Sequence, residues 1–368
     1  MQNRREFLGM SAMAAGAAIA GCTTAKPTAG VKVEAKDGDF RSVLVHLGHN
    51  MWCDWPSEFM GFEELQKLSP KKRPDMVLRC KDILWRKATD HIAAKGMNMI
   101  VIDLGEGMEY PSHPELKIEG TWSVDKMRTE IARLRGMGLE VIPKLNFSTT
   151  HNGWMKDWGH MVSSKPYHRM CEDLIRDTME IFDNPRFFHI GFDEELCIHQ
   201  EQWSKYQYIC VRRGEFWWQD FLHIVRTVEK SGARPWAWSD FGWHNEEYFS
   251  RCPKSVIQQN WYYDECYGGF DLATNKTSDR ERLQEYWSLE KSGFDQVPCG
   301  TNWVGWKRKK EGVGADDVIG KLVKLGREVI APERLKGFMM APWAPFDNEE
   351  NLAFANRGVD LFAEALKG

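Results

Sequence analysis

The sequence predicts a single (β/α)8 barrel, and three observations lead to this fold class. From residue 40 onward, eight short apolar runs alternate with eight amphipathic segments. Residues 40–368 provide about 41 residues for each strand–helix unit, somewhat more than such a barrel needs. No segment between these units has the composition of an interdomain linker, so residues 40–368 are interpreted as one domain.

The elements follow from the positions of the apolar residues. Strands are predicted at 42–47, 99–104, 140–145, 187–192, 234–239, 256–261, 296–301 and 337–342. Helices are predicted at 76–95, 124–137, 166–182, 215–231, 246–251, 280–291, 315–329 and 349–366. Ser164 and Pro166 are typical of a helix start, and Gly138 and Gly232 follow two helix ends. The remaining residues form long loops after strands one, two, four and six.

Composition excludes several classes of protein. With 42% hydrophobic and 12% aromatic residues, the chain is too apolar to be disordered. Its 49 basic and 53 acidic residues give a net charge of −4, which argues against nucleic acid as a partner. The basic runs 71–73 and 307–310 are interpreted as solvated loops. The 17 tryptophans must serve either the core or a binding surface.

The N-terminus has the pattern of an export signal. Arg4 and Arg5, followed by Phe7 and a weakly apolar run, resemble a twin-arginine signal. Ile-Ala-Gly-Cys at 19–22 resembles a bacterial lipobox, in which Cys22 is the lipidated residue. We therefore expect a signal at 1–22, a flexible tether at 23–39 and a periplasmic or cell-surface protein anchored to a membrane by lipid. No protein partner is inferred.

The cysteines after Cys22 show no CxxC spacing, which disfavours a zinc ribbon or a thioredoxin-like site. Twin-arginine substrates typically fold in a reducing compartment, so buried thiols are expected and no disulfide framework is predicted. These eight cysteines are Cys53, Cys80, Cys171, Cys197, Cys210, Cys252, Cys266 and Cys299.

The predicted fourth strand carries the most informative residues. Barrel enzymes place their sites at the carboxyl ends of the strands. Alternation puts Phe188, Ile190 and Phe192 on the outer face, and Asp193 on the side of the barrel mouth. Glu194 joins Asp193 only if the chain turns into a loop there. Two adjacent carboxylates raise one another's pKa, which suits a general acid, although a solvated acidic loop or a pair of metal ligands has the same pattern.

Residues 189–194, His-Ile-Gly-Phe-Asp-Glu, resemble the His-x-Gly-Gly/Ala-Asp-Glu signature of glycoside hydrolase family 20, the β-N-acetylhexosaminidases. The resemblance covers roughly residues 40–345. It includes the segment 110–123, the third strand at 139–143, and single tryptophans that follow strands five, six and eight.

The resemblance implies a glycosidase that needs no cofactor and uses the 2-acetamido group of its own substrate as nucleophile. Glu194 would be the general acid, and Asp193 would orient and stabilise the acetamido group. Trp238, Trp261 and Trp343 would form the walls of the sugar pocket. The full set of expected substrate contacts is His46, His49, His151, His189, Trp238, Asp240, Trp261, Tyr262, Trp303 and Trp343.

The sequence also departs from the family pattern. His46 and His49 stand where the family has an arginine that binds sugar hydroxyls, and Lys144 and Asn146 replace two acidic residues. Thr-Asn-Trp at 301–303 replaces a Tyr-x-Asp on strand seven. Pro345 replaces a glutamate. The acid and its neighbour are retained, whereas residues that hold the sugar have changed.

Two other functions fit the same residues. A retaining glycosidase with a protein nucleophile would use Asp240, Asp264 or Glu106 as the second carboxylate. A surface lipoprotein that binds sugars without catalysis would need only the pocket. A metal site formed by the histidines and Asp193 has no supporting spacing, and no metal is predicted.

Overall fold

The computed structural model describes residues 32–52, 75–195, 212–263, 269–275, 280–303 and 318–368. Several predicted features lie outside these residues: the signal with Cys22, most of the tether, the two basic runs, Asp264, and Cys53, Cys197, Cys210 and Cys266.

Eight parallel strands form the centre of the molecule. They are β1 (Phe40–His46), β2 (Met99–Asp103), β3 (Glu140–Lys144), β4 (Phe187–His189), β5 (Arg234–Trp238), β6 (Ile257–Gln259), β7 (Cys299–Gly300) and β8 (Gly337–Met340). The hydrogen-bonded order is β6-β5-β4-β3-β2-β1-β8-β7. Isolated bridges from Gln258 to Gln296 and from Trp261 to Cys299 connect β6 to β7. This arrangement confirms the predicted (β/α)8 barrel.

Helices surround the strands, one after each of them in the described chain. They are α1 (Asp82–Ala94), α2 (Val124–Gly136), α3 (Lys165–Ile181), α4 (Glu215–Lys230), α5 (Tyr248–Arg251), α6 (Arg280–Lys291), α7 (Val318–Val329) and α8 (Glu349–Lys367). Ser164 caps α3 as expected, since its side chain accepts a hydrogen bond from Tyr167 N. None of the described helices is both long and apolar enough to cross a membrane.

Several elements are shorter than predicted, and for two of them the physical reason is clear. The first helix begins at Asp82 rather than at residue 76, because Leu78 N donates instead to Glu119 O at 2.8 Å. Strand β7 contains only Cys299 and Gly300 of the predicted 296–301. Pro298 has no N–H to donate within that run, which limits regular strand pairing there.

The two largest clusters of the core are separated by the sheet. Val43, Val45, Phe188, Ile190 and Phe192 pack in the layer between strands and helices, as the alternation predicted for the fourth strand. A second cluster fills the barrel interior and includes Leu44, Met99, Val101, Ile142 and Trp236. Cys80, Cys171, Cys252 and Cys299 are buried free thiols.

The strand registers place four polar residues at one level of the barrel. His46 of β1 pairs with Asp103 of β2, Asp103 with Lys144 of β3, and Lys144 with His189 of β4. All four are the last residues of their strands, so they form a floor beneath the loops of the barrel mouth.

Candidate active site

The turn after β4 brings two carboxylates to the mouth of the barrel. The backbone adopts positive φ at Gly191 (74°), Phe192 (73°) and Glu194 (49°), which ends the strand alternation. A Cβ atom at position 191 would lie 2.1 Å from Asn146 Oδ1, so only glycine fits this position. The turn therefore allows Glu194 to lie on the same side as Asp193.

Asp193 is held by the loop after β3. Asn146 Nδ2 donates to Asp193 Oδ1 at 2.8 Å, and the Ser148 hydroxyl donates to the backbone oxygen of Asp193. The residue is 8% exposed. Because Asn146 fixes one carboxylate oxygen, the orientation of the other oxygen is fixed as well.

Glu194 is more open and is fixed through its backbone. Its side chain is 33% exposed, the most accessible of the clustered carboxylates. Its backbone N–H donates to Asp240 Oδ2 at 2.6 Å, and the Thr150 hydroxyl donates to its backbone oxygen at 2.7 Å. Its carboxylate can therefore contact a ligand while the backbone stays in place.

His151 joins the two carboxylates. Its Nε2 lies 3.3 Å from Glu194 Oε2 and 3.8 Å from Asp193 Oδ2. Its Nδ1 lies 2.8 Å from the Thr150 hydroxyl, whose own proton goes to a backbone oxygen, so Nδ1 is the donor of that pair. Burial opposes the imidazolium, but the two carboxylates outweigh it and raise the pKa of His151 above its usual value. His151 Nε2 and Glu194 can thus share one proton.

Asp240 is a carboxyl group that favours its neutral form. Burial, followed by repulsion from Asp193, raises the pKa of Asp240 to about 8. Behind it, Glu285 of α6 is also fully buried, and burial together with Asp240 holds the pKa of Glu285 well above its usual value. Asp240 therefore carries a proton near neutral pH, which makes it a poor nucleophile.

Contacts within the protein link the residues of the polar floor. Lys144 Nζ donates to the Asp103 carboxylate, and His46 Nδ1 lies 3.6 Å from Asp103 Oδ2. Gly191 N donates to His189 Nδ1 at 3.1 Å, so His189 Nε2 is the donor to Gln259 Oε1 at 2.8 Å. Both ring nitrogens of His189 are thus used by the chain, which differs from the predicted contact between His189 and substrate.

An aromatic wall lies at the same end of the barrel, where Trp238 N donates to Gly191 O at 3.0 Å, two residues before Asp193. It consists of Trp238, Trp261, Tyr263 and Trp343, and the name refers to these four residues below. Trp343 lies 5.8 Å from Trp238 between ring centroids, and its Nε1 donates to Tyr263 OH at 3.2 Å. Trp261 and Tyr263 stack with centroids 4.9 Å apart. Trp343 has a φ of 54°, a strained value for a bulky residue that is typical of functional sites.

The structure places Tyr262 away from this wall. Its hydroxyl accepts from Asn275 Nδ2 at 2.7 Å and donates to Gly269 O at 3.0 Å, and its ring packs with Leu283 and Tyr286 of α6. Tyr263, rather than Tyr262, therefore lies in the aromatic wall. The sequence contained the signal for this, because alternation from Trp261 puts Tyr263 on the same face and Tyr262 on the opposite one.

The remaining expected contacts lie on the loops after β1 and β7. The His49 ring is 5.6 Å from that of His46, which in turn is 5.5 Å from Trp343. Trp303 follows β7 and is half-buried, with its backbone N–H bonded to the Thr301 hydroxyl at 3.0 Å. Among the described residues, no group of three or more His, Cys, Asp or Glu side chains could hold a metal ion.

The sequence matches no family model and no curated protein. Solved structures do match it. A β-N-acetylhexosaminidase from Bacteroides fragilis has a TM-score of 0.55 at 12% identity over 86% of this chain and 64% of its own. For dispersin B the TM-score is 0.54 at 14% identity, over 78% of this chain and 96% of the other. The fold is a (β/α)8 barrel similar to the barrels of these β-N-acetylhexosaminidases.

A third hexosaminidase structure extends this comparison. The N-acetyl-β-hexosaminidase of Streptomyces plicatus, solved in complex with Thio-NAglucal, has a TM-score of 0.56 at 13% identity over 88% of this chain and 63% of its own. This chain therefore spans slightly less than two thirds of the length of the Bacteroides and Streptomyces hexosaminidases. At these identities the likeness concerns the fold.

Glu106 has a structural role in this barrel. Its Oε1 accepts the backbone N–H groups of His49 (2.7 Å) and Asn50 (3.0 Å), which anchors the loop after β1. The side chain is buried, and burial raises its pKa from 4.5 to about 7. This use of the carboxylate disfavours Glu106 as a glycosidase nucleophile.

The Glu106→Gln variant is expected to become more stable relative to the wild type as pH rises. A raised folded-state pKa means that the stability contributed by protonated Glu106 is complete below about pH 4.5 and is lost as pH approaches 7. Glutamine does not titrate, so the difference in unfolding free energy should shift by about 3 kcal/mol across this window. Denaturant unfolding at pH 4.5 and 7.5 measures it, with exposed Glu349→Gln as control. If the unfolding free energies of wild type and Glu106→Gln changed in parallel with pH, the raised pKa of buried Glu106 would be contradicted.

Proposed function

We propose that this chain is a retaining glycoside hydrolase that removes 2-acetamido sugars with the help of the substrate's own acetamido group. The observation that carries the proposal is the pair Asp193 and Glu194, side by side at the barrel mouth next to an aromatic wall. An enzyme with a protein nucleophile needs two carboxylates on opposite faces of the sugar. A nucleophile supplied by the substrate removes that need.

Glu194 supplies the proton in the first step. The acetamido oxygen attacks the anomeric carbon, the glycosidic bond breaks, and the leaving oxygen takes the proton of Glu194. His151 Nε2, 3.3 Å from Glu194 Oε2, supports this role because it can share the proton before transfer. In the second step water attacks the anomeric carbon, the bond between that carbon and the acetamido oxygen breaks, and the water gives its proton to Glu194. This regenerates the acetamido group and the acid, with retention of configuration.

Asp193 stabilises the intermediate between the two steps. The acetamido group becomes a positively charged oxazolinium ring, and a carboxylate beside it lowers its free energy in a site with little water. Asn146 supports this role, since its 2.8 Å hydrogen bond orients Asp193 in advance and no reorganisation is needed during the reaction. Because protonated Asp240 is a poor nucleophile, Asp193 and Glu194 are the carboxyl groups assigned to the reaction.

The aromatic wall is assigned to the sugar and the acetamido methyl group. Flat apolar rings pack against the C–H face of a sugar ring, and indole and phenol groups add hydrogen bonds at its edge. Tyr263 takes the place predicted for Tyr262, because its hydroxyl lies at the wall and is held by Trp343 Nε1. His46 and His49 adjoin the wall and are assigned to sugar hydroxyls.

The substituent at C2 of the sugar tests the proposal. We expect nitrophenyl β-glycosides with a 2-acetamido group to be hydrolysed and otherwise identical 2-hydroxy glycosides to be hydrolysed at least about 10³-fold more slowly, because only the first provide a nucleophile. Initial rates on the matched pair are the measurement. Equal rates on both glycosides would refute substrate assistance. If neither glycoside were hydrolysed, the proposed glycosidase activity would be refuted.

We also propose that the protein is exported and anchored by lipid at Cys22, on the basis of the signal at 1–22. The full chain expressed in a bacterium with a twin-arginine system should sediment with membranes, and Cys22→Ser should release it. Fractionation with an immunoblot measures both, and Cys80→Ser provides a matched cysteine control. A wild-type chain found entirely in the soluble cytoplasmic fraction would contradict this proposal.

A further inference from the structure

A buried ion pair fixes the chain immediately after Glu194. Arg212 donates to the Glu195 carboxylate, which also accepts from the backbone N–H (3.0 Å) and the hydroxyl (2.8 Å) of Thr149. The Arg212 side chain is 0% exposed and that of Glu195 is 6% exposed. Hydrogen bonds to charged groups in such a dry environment are strong, so the position of Glu195 is well defined.

Arg212 is itself held from several sides. Its Nη2 donates to Phe147 O at 2.8 Å, and its Nη1 lies 3.3 Å from the carboxylate of Asp220 on α4. Its guanidinium group lies 4.6 Å from the centre of the Phe192 ring. Arg212 therefore connects the loop after β3, the end of β4 and helix α4 in one buried cluster.

The backbone of this turn needs such support. Phe192 and Glu194 have positive φ, which is unfavourable for residues with a side chain and persists only where the surroundings enforce it. Phe192 contacts Arg212 directly, and Glu194 is followed by Glu195, which Arg212 and Thr149 hold in place. Arg212 and Glu195 thus restrain the backbone on both sides of Asp193.

We propose that Glu195 and Arg212 are positioning residues for the general acid, and that they maintain the turn that aims Glu194 at the leaving-group oxygen. The inference rests on the proposed function, because it concerns the acid of that reaction. Both residues act through Glu194. Their loss should impair proton donation more than sugar binding.

The test compares two substrates with the same 2-acetamido sugar, one with a sugar as leaving group and one with dinitrophenol, which departs without protonation. For Arg212→Met and Glu195→Gln we expect kcat on the first substrate to fall about 10- to 100-fold, against less than about 3-fold on the second, with KM unchanged. Thr149→Val removes one hydrogen bond to Glu195 without stranding a charge and should show the same bias at about 3- to 10-fold. Arg212→Lys should recover part of the loss.

Arg186→Met is the matched control. It breaks an ion pair with Glu140 (2.9 and 2.8 Å) at the opposite end of the barrel, so it should lower Tm without changing the ratio of the two rates. The proposal is overturned if the ratio of kcat on the two substrates is the same in Thr149→Val and Glu195→Gln as in Arg186→Met. If Arg212→Met does not fold, Thr149→Val and Glu195→Gln still provide the test.

The experiments distinguish failure of the proposed function from failure of the positioning role of Glu195 and Arg212. If the wild type hydrolyses neither substrate, the glycosidase proposal is refuted. Amide hydrogen exchange over residues 190–195 then tests whether Glu195 and Arg212 hold the turn in place. Faster exchange in Thr149→Val than in Arg186→Met supports this positioning role. Equal exchange in the two variants overturns it.

Discussion

Replacing Glu194 with glutamine should lower kcat/KM by about 10²- to 10⁴-fold on a substrate whose leaving group is a sugar hydroxyl. The amide cannot donate the proton that this poor leaving group requires. A dinitrophenyl glycoside of the same sugar should lose less than about 10-fold in kcat/KM, because its leaving group departs as a stable anion. Steady-state kinetics on the two substrates measure the effect.

The control for this change is Glu349→Gln, the same substitution at an exposed carboxylate of α8. It should leave both rates unaltered. Equal losses on both substrates in Glu194→Gln would mean that Glu194 binds the sugar rather than donating a proton. The two outcomes separate general acid catalysis from substrate binding.

The Asp193→Asn variant should lose about 10²- to 10³-fold in kcat, the magnitude expected when one electrostatic stabiliser of a charged intermediate is removed. Asn146 Nδ2 donates to the atom at Oδ1, so the new amide should keep its oxygen there and turn its NH2 group toward the cationic ring. The side chain would then oppose the charge it normally stabilises. Its near-identical shape should leave Tm almost unchanged.

A thiazoline analogue of the oxazoline intermediate provides an independent measurement. The wild type should bind it far more tightly than the parent sugar, and Asp193→Asn should lose most of that preference. Ser148→Ala, which removes a bond to the backbone of Asp193 but keeps the carboxylate, is the matched control. A preference that survives in Asp193→Asn would contradict the assignment.

A covalent intermediate would favour the rival reaction. If the chain used a protein nucleophile, a 2-fluoro sugar would leave a glycosyl adduct on Asp240, Asp264 or Glu106. Mass spectrometry of quenched enzyme detects such an adduct. The neutral state of Asp240 and the two backbone bonds of Glu106 lead us to expect none on these two residues.

Much of the barrel could be predicted because strand and helix periods are local properties of the sequence. The outward set Phe188, Ile190 and Phe192 followed from alternation alone. The meeting of Asp193 and Glu194 depended on a turn, which the polar residues after the strand indicated. β7 was predicted too long because apolar character outweighed the missing N–H of Pro298.

The rest of the site depends on contacts between distant segments. Asn146 reaches Asp193 across 47 positions, and Thr149 reaches Glu195 across 46. No spacing in the sequence marks such pairs, because they form only when the loops after β3 and β4 lie side by side. Arg212 and Glu195 were missed for this reason. Tyr263 was missed although alternation indicated it.

The closure of the ring has a mechanical consequence. The β1–β2 and β2–β3 contacts have five register pairs each, whereas β3 and β4 share one pair and β6 and β7 meet through isolated bridges. Local opening costs least where backbone hydrogen bonds are fewest. Trp261 of the aromatic wall lies at the contact between β6 and β7, and Asp193 and Glu194 follow β4. The ring is thus most firmly paired at β1 to β3, and the carboxylates after β4 depend on loop contacts such as that from Asn146 to Asp193, rather than on strand pairing, to stay in place.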